Sequence, residues 1–300
     1  MNNLIVSRLF IILASLIWGS SFVAQILGME HIGPITFIFT RYTIGTIAVF
    51  LLALVLDLKK THQNNGGKEY VILKKEWQAA LPGGIICGLL LFTATFFQQS
   101  GLQHTPAGKA AFITAMYIII VPILQLFVGK RFGTRTWLAI AGSTIGIYLL
   151  SITKDFSIAF SDLLVLTATL FWALHILCGD KFSKEHDPVK LSTVQFAVTT
   201  IASAIMMFVF ESPELSGIIS SLVPAAYAGI MCTAVAYTLQ MSGQRHLSAV
   251  EVSLILSMES VFALAGGILI LGESLTTREF IGCIILFSAV TIAQIPDKKV

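Results

Sequence analysis

One sequence pattern occurs twice in this chain, and that duplication limits the possible folds more than any other feature. Residues 101–129 read GLQHTPAGKAAFITAMYIIIVPILQLFVG, and residues 243–272 read GQRHLSAVEVSLILSMESVFALAGGILILG. At one constant offset the aligned pairs include Pro82 with Pro224, Gln98 with Gln240, His104 with His246 and Met116 with Met258. At a second offset, twelve residues longer, they include Trp18 with Trp172 and Pro34 with Pro188. A repeat of this length predicts one structural unit built twice, with an extra polar loop in the first copy.

Apolar runs fill both copies and indicate a membrane protein. Of the 300 residues, 56% are hydrophobic and 12% are charged, which is too few charges to cover a soluble core. The charges lie in short patches between runs long enough to cross a hydrocarbon layer about 30 Å thick. We predict an all-α membrane protein, because helices satisfy their own backbone polar groups in lipid. The ten predicted spans are residues 9–28, 35–56, 79–102, 105–129, 137–152, 156–179, 189–210, 218–242, 247–272 and 280–295.

Lysine and arginine residues are distributed unevenly between the two sides of the membrane. The segments on one side carry 15 of the 19, those on the other carry 3, and Arg41 lies within a span. The positive-inside rule then places both termini in the cytoplasm and makes the chain a multi-pass protein of the cell (inner) membrane. The longest loop on this side, residues 57–77, has an Asn-Asn-Gly-Gly centre that breaks helices, and we predict that it is mobile.

Each copy contains an odd number of spans, five. The second copy therefore enters the membrane from the opposite side, so that a pseudo-two-fold axis in the membrane plane relates two inverted five-helix repeats. Inverted halves can exchange conformations and open a central cavity first to one side and then to the other. This arrangement predicts a carrier that works by alternating access, a device that receptors and most membrane enzymes do not need.

Several short motifs resemble one transporter family. They are SLIWGSSFV at residues 15–23, the proline and arginine of Pro34 and Arg41, the helix after His104, and LGESLTTREFIG at residues 271–282. Each motif alone has low specificity, but together they extend over nearly the whole chain in two copies. In this respect the chain resembles the ten-helix EamA family of the drug/metabolite transporter (DMT) superfamily.

The resemblance implies a bundle of two inverted five-helix repeats, residues 7–152 and 156–296, followed by a cytoplasmic tail at residues 297–300. It also implies efflux of small metabolites, often amino acids, although the family includes importers and sugar-phosphate carriers. One position departs from exact duplication: the second copy has Glu273 after a glycine where the first has Lys130. Any structural role of that glutamate is therefore filled in one half only.

Glu259 is the strongest candidate for a transport residue, because an ionisable group inside a span is costly. It lies about 12 residues into the ninth predicted span, near mid-depth at ~1.5 Å per residue. Such a carboxylate could take up a proton when water is removed from it and so couple transport to the proton gradient. The alternative is a structural tie to neighbouring helices. The corresponding residue in the first copy is Tyr117, so the halves differ where an asymmetric solute would bind.

Three other ionisable residues inside the spans are candidates, each with an alternative. Lys109 and Glu251 correspond to each other about one turn into their spans, and inversion places Lys109 near the outer mouth and Glu251 near the inner one. They are candidate gates or ends of the pathway, unless each extends to its own membrane interface. Arg41 could hold an anionic group such as a carboxylate, or form a buried ion pair with a glutamate. Its counterpart is the neutral Gln195.

Two duplicated helix faces predict facing walls of a cavity. Trp18, Ser21 and Gln25 share one face of the first span, and Trp172 and His175 share one of the sixth. The alternative for the tryptophans is helix packing, and for His175 a buried histidine without a role in proton transfer. The candidate substrate-binding residues are Trp18, Ser21, Gln25, Arg41, Gln98, Tyr117, Trp172, His175, Tyr237, Gln240 and Glu259, and the gating or proton-coupling candidates are Lys109, Glu251 and Glu259.

The fifth and tenth predicted spans are short. They carry no buried charge, and they contain several small residues. Small residues allow two helices to approach closely in a membrane. We therefore predict that these two spans pack closely and do not hold the solute. The small residues are Gly142, Gly146, Gly282 and Ala289.

These features favour a secondary transporter that exports small polar metabolites such as amino acids, coupled to protons. An alternative is a multidrug carrier of lipophilic cations, with Glu259 as the counter-charge and the tryptophans as a stacking surface. A membrane enzyme or lipid-handling protein would need convergent catalytic groups at one depth, and the sequence has no such set. It also has no GxxxxGK[ST] nucleotide loop, and its four cysteines lack metal-ligand spacing. We expect a small-molecule solute and the lipid bilayer as partners, no nucleic acid, no cofactor, no metal and a monomer.

Overall fold

A computed structural model of the chain describes residues 3–63, 67–151, 159–271 and 276–293. Glu273, noted above for its departure from the repeat, lies outside these ranges. The described residues form helices joined by short turns. In chain order these are α1 (Asn3–Gly28), α2 (Pro34–Gln63), α3 (Gly67–Leu102), α4 (Ala107–Ala115), α5 (Tyr117–Phe127), α6 (Thr134–Ser151), α7 (Phe160–Glu185), α8 (Pro188–Phe210), α9 (Leu215–Ser220), α10 (Leu222–Tyr227), a π-helical segment (Ala228–Ala236), α11 (Tyr237–Gln244), α12 (Ala249–Leu256), α13 (Glu259–Leu271) and α14 (Thr277–Ala293).

Within the described ranges, seven helical stretches are long and apolar enough to cross a membrane. They are Asn3–Gly28, Pro34–His62, Val71–Leu102, Lys109–Phe127, Phe160–Glu185, Pro188–Phe210 and Leu222–Gln244. The other predicted spans are also helical where the structure describes them. However, α6 and α14 contain only 18 and 17 residues, and the ninth predicted span is divided between α12 and α13. The chain is thus an all-helical, multi-pass membrane protein, while ten spans in two inverted repeats stay a prediction.

The predicted mobile loop at residues 57–77 is wrong for the part that the structure describes. Helices α2 and α3 extend through this segment except at residues 64–66, which lie outside the described ranges. Lys190 gives the physical reason, because its buried ammonium group lies 3.1 Å from a carboxylate oxygen of Asp57 and 2.6 Å from one of Glu76. This contact joins the ends of the two helices to the start of α8 and favours their helical extension.

The small residues of α6 and α14 allow the close contact that the sequence predicts. A Cβ atom added at Gly142 would lie 3.0 Å from the Cβ atom of Ala289, and one added at Gly146 would lie 2.9 Å from the carbonyl oxygen of Gly282. Larger side chains would therefore push the helices apart. Elsewhere α3 packs along α7, and α2 packs along α8.

Two helices break at corresponding positions of the repeat. Helix α4 gives way to α5 at Met116, and α12 gives way to α13 at Ser257 and Met258. The backbone N–H groups of Met116 and Met258 each bond, at 3.1 Å, to the carbonyl three residues earlier, which tightens the turn. At the second break the Ser257 hydroxyl also bonds the Leu254 carbonyl. The sequence analysis did not predict these breaks.

The eighth predicted span also departs from a regular α-helix. Its central part, Ala228–Ala236, is π-helical, a geometry that is rare and frequent at functional sites. A Cβ atom added at Gly229 would lie 2.7 Å from the carbonyl oxygen of Arg41, so this segment packs directly on the backbone of α2. The π-helical segment thus faces the centre of the bundle.

Candidate functional site

A cavity of about 60 Å³ lies where helices from both copies of the repeat meet. At roughly 10–15 Å³ for each water molecule, it has room for about five of them, so a larger solute requires movement of the walls. All of the predicted substrate-binding residues line it: Trp18, Ser21, Gln25, Arg41, Gln98, Tyr117, Trp172, His175, Tyr237, Gln240 and Glu259. The sequence analysis missed six further wall residues: Phe22, Thr114, Ile176, Cys232, Thr233 and Leu256.

Glu259 is the anionic group of this cavity. It is the first residue of α13 and its side chain is buried. The hydroxyl of Tyr117, the first residue of α5, donates a hydrogen bond of 3.2 Å to one carboxylate oxygen. The backbone N–H groups that begin α13 are already bonded, since those of Ser260 and Val261 donate to the carbonyls of Ser257 and Met258. The Tyr117 hydroxyl is therefore the donor that meets this buried carboxylate.

Arg41 is the cationic group of the same cavity. Its buried guanidinium donates a hydrogen bond of 3.1 Å to the side-chain oxygen of Gln25, which in turn donates one of 3.0 Å to the Ser21 hydroxyl. The ring of Tyr42 lies 5.0 Å from the guanidinium carbon and contributes a cation–π contact. Within the described part of the chain, the Nε atom of Arg41 has no hydrogen-bond partner.

Arg41 and Glu259 carry opposite charges on one cavity wall, yet neither forms an ion pair with any residue in the described ranges. The alternative hypothesis, that a buried glutamate neutralises Arg41, therefore finds no support among these residues. Buried charges without a counter-charge are costly in a membrane.

Three aromatic rings form one side of the cavity. The ring centroids of Trp18 and Tyr237 lie 4.7 Å apart in an edge-to-face arrangement, and those of Trp172 and Tyr237 lie 6.2 Å apart and are stacked. The Trp18 indole donates a hydrogen bond of 3.1 Å to the backbone carbonyl of Cys232 in the π-helical segment. The Trp172 indole instead donates one of 3.1 Å to the side chain of Gln98. Corresponding tryptophans thus have different partners.

The two corresponding glutamines differ in the same way. Gln98 is occupied by Trp172, but its counterpart Gln240 is not bonded to Trp18. The side-chain oxygen of Gln240 has no partner among the described residues, although the residue is buried on the cavity wall. His175 is bonded to Gln195 at 2.9 Å and has no carboxylate partner in the described ranges, which favours a structural role over a proton relay.

The two predicted gating residues outside the cavity are both found in ion pairs. Lys109 lies 2.5 Å from Asp162, which also accepts a hydrogen bond of 3.1 Å from the Thr105 hydroxyl. Glu251 lies 3.3 Å from Arg8. Each of these two candidates therefore has an oppositely charged partner on another helix.

Comparison with protein families decides the class of protein. The model of the EamA-like transporter family matches residues 6–152 and, separately, residues 159–294. The chain belongs to the EamA-like transporter family. As a family member, it is a membrane transporter and not an enzyme.

This EamA-like transporter is similar to several curated proteins. An uncharacterized transporter of Archaeoglobus fulgidus is 28% identical over 287 residues, which cover 94% of this chain and 84% of the relative. The threonine/homoserine exporter RhtA of Salmonella typhimurium is 27% identical over 225 residues, which cover 71% of this chain and 72% of the relative. One solved crystal structure matches with a TM-score of 0.74 at 16% identity and covers 96% of each chain. That last likeness concerns the fold alone.

A signal for two of the missed cavity residues was present in the EamA-like repeat itself. Thr114 and Leu256 correspond to each other, and they precede Tyr117 and Glu259 by three residues. Because the repeat aligns these two positions, they could be found together, even though a helix break separates each from Tyr117 or Glu259. The π-helical wall residues, such as Cys232, gave no comparable signal because periodicity changes there.

Proposed function

We propose that this EamA-like transporter exports small polar metabolites, namely amino acids or close relatives of them, by alternating access coupled to protons. The proposal includes ten spans in two inverted five-helix repeats and both termini in the cytoplasm. The solute binds in the central cavity, and Glu259 exchanges it for a proton. Four groups of contacts support the proposal.

Corresponding helices pack against each other, as two inverted repeats require. Helices α2 and α8 occupy the second place in their repeats and lie side by side. At one end Asp57 of α2 bonds Lys190 of α8, and at the other Glu211 after α8 accepts a hydrogen bond of 2.8 Å from the backbone of Thr36 in α2. The longer offset aligns Asp57 with Glu211 and Thr36 with Lys190. The same contact is therefore built at both ends of the helix pair.

The cavity lies on the axis that would relate the two repeats. Tyr117 and Glu259 correspond to each other and are in contact through a hydrogen bond of 3.2 Å. Equivalent points of two halves can touch only close to their symmetry axis. A site on that axis is equally distant from both membrane faces, which is where alternating access places a solute.

The burial of one basic and one acidic side chain, Arg41 and Glu259, on the same cavity is the observation that carries the assignment to amino acids. A zwitterion has a carboxylate that can bond to the guanidinium of Arg41 and an ammonium group that can bond to the carboxylate of Glu259. Binding would give both buried charges a partner, and hydrogen bonds to charged groups contribute about 1.5–3 kcal/mol each. The aromatic rings beside these groups offer an apolar surface to the rest of the solute.

A lipophilic cation is less well matched to the same cavity. The rings of Trp18, Trp172 and Tyr237 favour a cation, as does Glu259. However, Arg41 lies on the same wall, and its positive charge would oppose a permanent cation that has no carboxylate. The name of the relative RhtA, a threonine/homoserine exporter, supports the amino-acid assignment.

Among the wall residues that the structure describes, Glu259 is the one carboxylate, and this supports proton coupling. An empty cavity in which Glu259 is ionised keeps an unpaired anion in a site with little water. Either a proton or the ammonium group of a solute removes that cost, and the two cannot occupy the carboxylate together. Exchange of one for the other would couple export to proton entry.

Counterflow of labelled amino acids in proteoliposomes tests this function. We expect saturable exchange without chemical change, and a KM at least about tenfold higher in Arg41→Gln, because an ionic hydrogen bond is lost. The matched control is Lys184→Gln, which removes an exposed cation that bonds only Asp180 on its own helix. An amino-acid amide, which lacks the carboxylate, should compete equally well in the wild type and in Arg41→Gln.

Glu259→Gln should abolish the dependence of transport on the proton gradient. In this variant, exchange of amino acids without a proton gradient should persist at reduced affinity. A carboxylic acid that lacks the ammonium group should bind Glu259→Gln and the wild type with the same affinity. Transport in Glu259→Gln that retains both its rate and its pH dependence would contradict coupling at this residue. A failure of all amino acids to exchange in the wild type would contradict the assigned solute class.

A further inference from the structure

Two interhelical ion pairs correspond to each other with their charges exchanged. The longer offset aligns Arg8 with Asp162, and the shorter offset aligns Lys109 with Glu251. The structure joins Lys109 to Asp162 at 2.5 Å and Arg8 to Glu251 at 3.3 Å. Each pair therefore connects the start of the first span in one repeat to the start of the fourth span in the other.

The two pairs lie at equal sequence separations from residues of the cavity wall. Lys109 precedes Tyr117 by eight residues, and Glu251 precedes Glu259 by eight. Because the repeats are inverted in the proposed arrangement, the segment from Tyr117 back to Lys109 and the segment from Glu259 back to Glu251 run towards opposite faces of the membrane. The small cavity is thus enclosed between one ion pair on the outer side and one on the inner side.

Two corresponding glycines allow the helices to close beside each pair. A Cβ atom added at Gly101 would lie 2.8 Å from the carbonyl oxygen of Ser161, the neighbour of Asp162. A Cβ atom added at Gly243 would lie 2.9 Å from the carbonyl oxygen of Ser7, the neighbour of Arg8. Ser7 and Ser161 also correspond at the longer offset. The same close backbone contact therefore occurs at both ends of the cavity.

The outer pair is the more strongly held of the two. The side chains of Lys109 and Asp162 are 18% and 6% exposed, whereas those of Arg8 and Glu251 are 25% and 29% exposed. Each carboxylate accepts two further hydrogen bonds, Asp162 from the Thr105 hydroxyl and the Ala159 backbone and Glu251 from the hydroxyl and backbone of Ser248. The difference between the two pairs is therefore their exposure. Water screens an exposed pair more effectively than a buried one. The inner pair should therefore separate first from this closed arrangement.

We infer that the Lys109–Asp162 pair is the outer gate of the transport cycle and that the Arg8–Glu251 pair is the inner gate. The cavity opens to one side when the pair on that side breaks and the other pair holds. This inference rests on the proposed alternating access and assigns a transport role to Arg8 and Asp162. Opening to the inside first suits an exporter, which must load its solute from the cytoplasm.

Accessibility of the cavity from each side tests the two gates. Cys232 lines the cavity and serves as the reporter in a protein that carries Cys87→Ala, Cys178→Ala and Cys283→Ala. A membrane-impermeant thiol reagent is applied to right-side-out or inside-out vesicles. Asp162→Lys should raise the rate of labelling from outside about tenfold, because like charges replace a partly buried pair. Glu251→Lys should raise labelling from inside to a similar extent.

Exchange of the charges within a pair gives the matched rescue. Lys109→Asp combined with Asp162→Lys should return outside labelling to the parent rate, and Arg8→Glu combined with Glu251→Arg should do so for inside labelling. The neutral variant Lys109→Gln should give a smaller increase on the same side, and it serves where a charge reversal prevents folding. Lys184→Glu, which disrupts an exposed pair away from the cavity, should change neither rate.

Three results would overturn the gates: unchanged labelling in both single variants, an equal increase from both sides, or no rescue by charge exchange. An equal increase would mean that the pairs only hold the bundle together. The labelling assay requires no solute. Absence of counterflow for every amino acid would therefore contradict only the proposed function. Parent-like labelling rates in gate variants that still transport would contradict only the gates.

Discussion

At the scale of single residues, Glu259 depends on the hydroxyl of Tyr117. Tyr117→Phe removes the donor while keeping the ring, and leaves the buried carboxylate without the hydrogen bond seen here. We expect the free energy of unfolding in detergent to fall by about 1–3 kcal/mol, the cost of an unsatisfied buried acceptor. The matched control is Tyr148→Phe at a half-exposed tyrosine, where we expect a change within about 0.5 kcal/mol.

A double-mutant cycle separates this bond from simple loss of packing. The same Tyr117→Phe change should cost less in a Glu259→Gln background, because a neutral amide is less costly to leave unpaired. Equal costs in both backgrounds would show that the hydroxyl does not support the carboxylate.

The sequence identified the charged residues of the site because a charge inside an apolar run is conspicuous. Arg41 and Glu259 were both found in this way, and the repeat alignment added Tyr117. Their contacts were harder to predict from the sequence, since the rotation of each helix about its axis decides which side chains meet. No sequence pattern indicated that Gln25 would hold Arg41, or that Asp162 and Arg8 would pair with the two predicted gating residues.

At the scale of helices, Gly19 sets the distance between α1 and the broken helix α12–α13. A Cβ atom added there would lie 2.6 Å from the carbonyl oxygen of Glu259 and 2.9 Å from the backbone nitrogen of Ala263. We expect Gly19→Ala to lower the free energy of unfolding by about 1–3 kcal/mol, the usual cost of overpacking, and to slow counterflow.

The comparison for Gly19→Ala is Gly142→Ala, between α6 and α14. The nearest atom there is the Ala289 methyl group at 3.0 Å, and it is not backbone. Alanine also favours a helix by about 1 kcal/mol over glycine, which offsets part of the cost of the 3.0 Å contact. Gly142→Ala should therefore lower stability less than Gly19→Ala and leave transport close to that of the parent. Thermal unfolding and transport that fall equally in both variants would contradict a special role for Gly19.

The existence of most helices was predictable, but their interruptions were not. Long apolar runs must be helical in lipid, which is why the predicted spans coincide with helices where the structure describes them. The breaks at Met116 and Met258 depend on single hydrogen bonds to carbonyls, which leave apolar periodicity unchanged. The segment at residues 57–77 was wrongly predicted to be a loop because it is polar. Its polar residues instead include carboxylates at the ends of α2 and α3 that pair with Lys190.

At the scale of the whole molecule, the two copies are alike in backbone contacts and unlike in side-chain chemistry. Both have a helix break, a close glycine contact and an ion pair at corresponding places. The side chains that meet in the central cavity differ, with tyrosine in one copy and glutamate in the other. Similar backbone contacts would allow the two halves to exchange conformations. Different side chains would allow them to bind a solute that has two chemically different ends.

Orientation in the membrane is a property of the whole chain and can be measured directly. In a cysteine-free protein, Ser212→Cys after α8 and Glu185→Cys at the end of α7 introduce exposed thiols on opposite predicted sides. The positive-inside rule places Glu185 among cytoplasmic lysines, so an impermeant reagent applied to intact cells should label Ser212→Cys alone. Glu185→Cys should react only after the cells are made permeable. The reverse pattern would overturn the orientation and, with it, the assignment of Lys109 to the outer gate and Glu251 to the inner one.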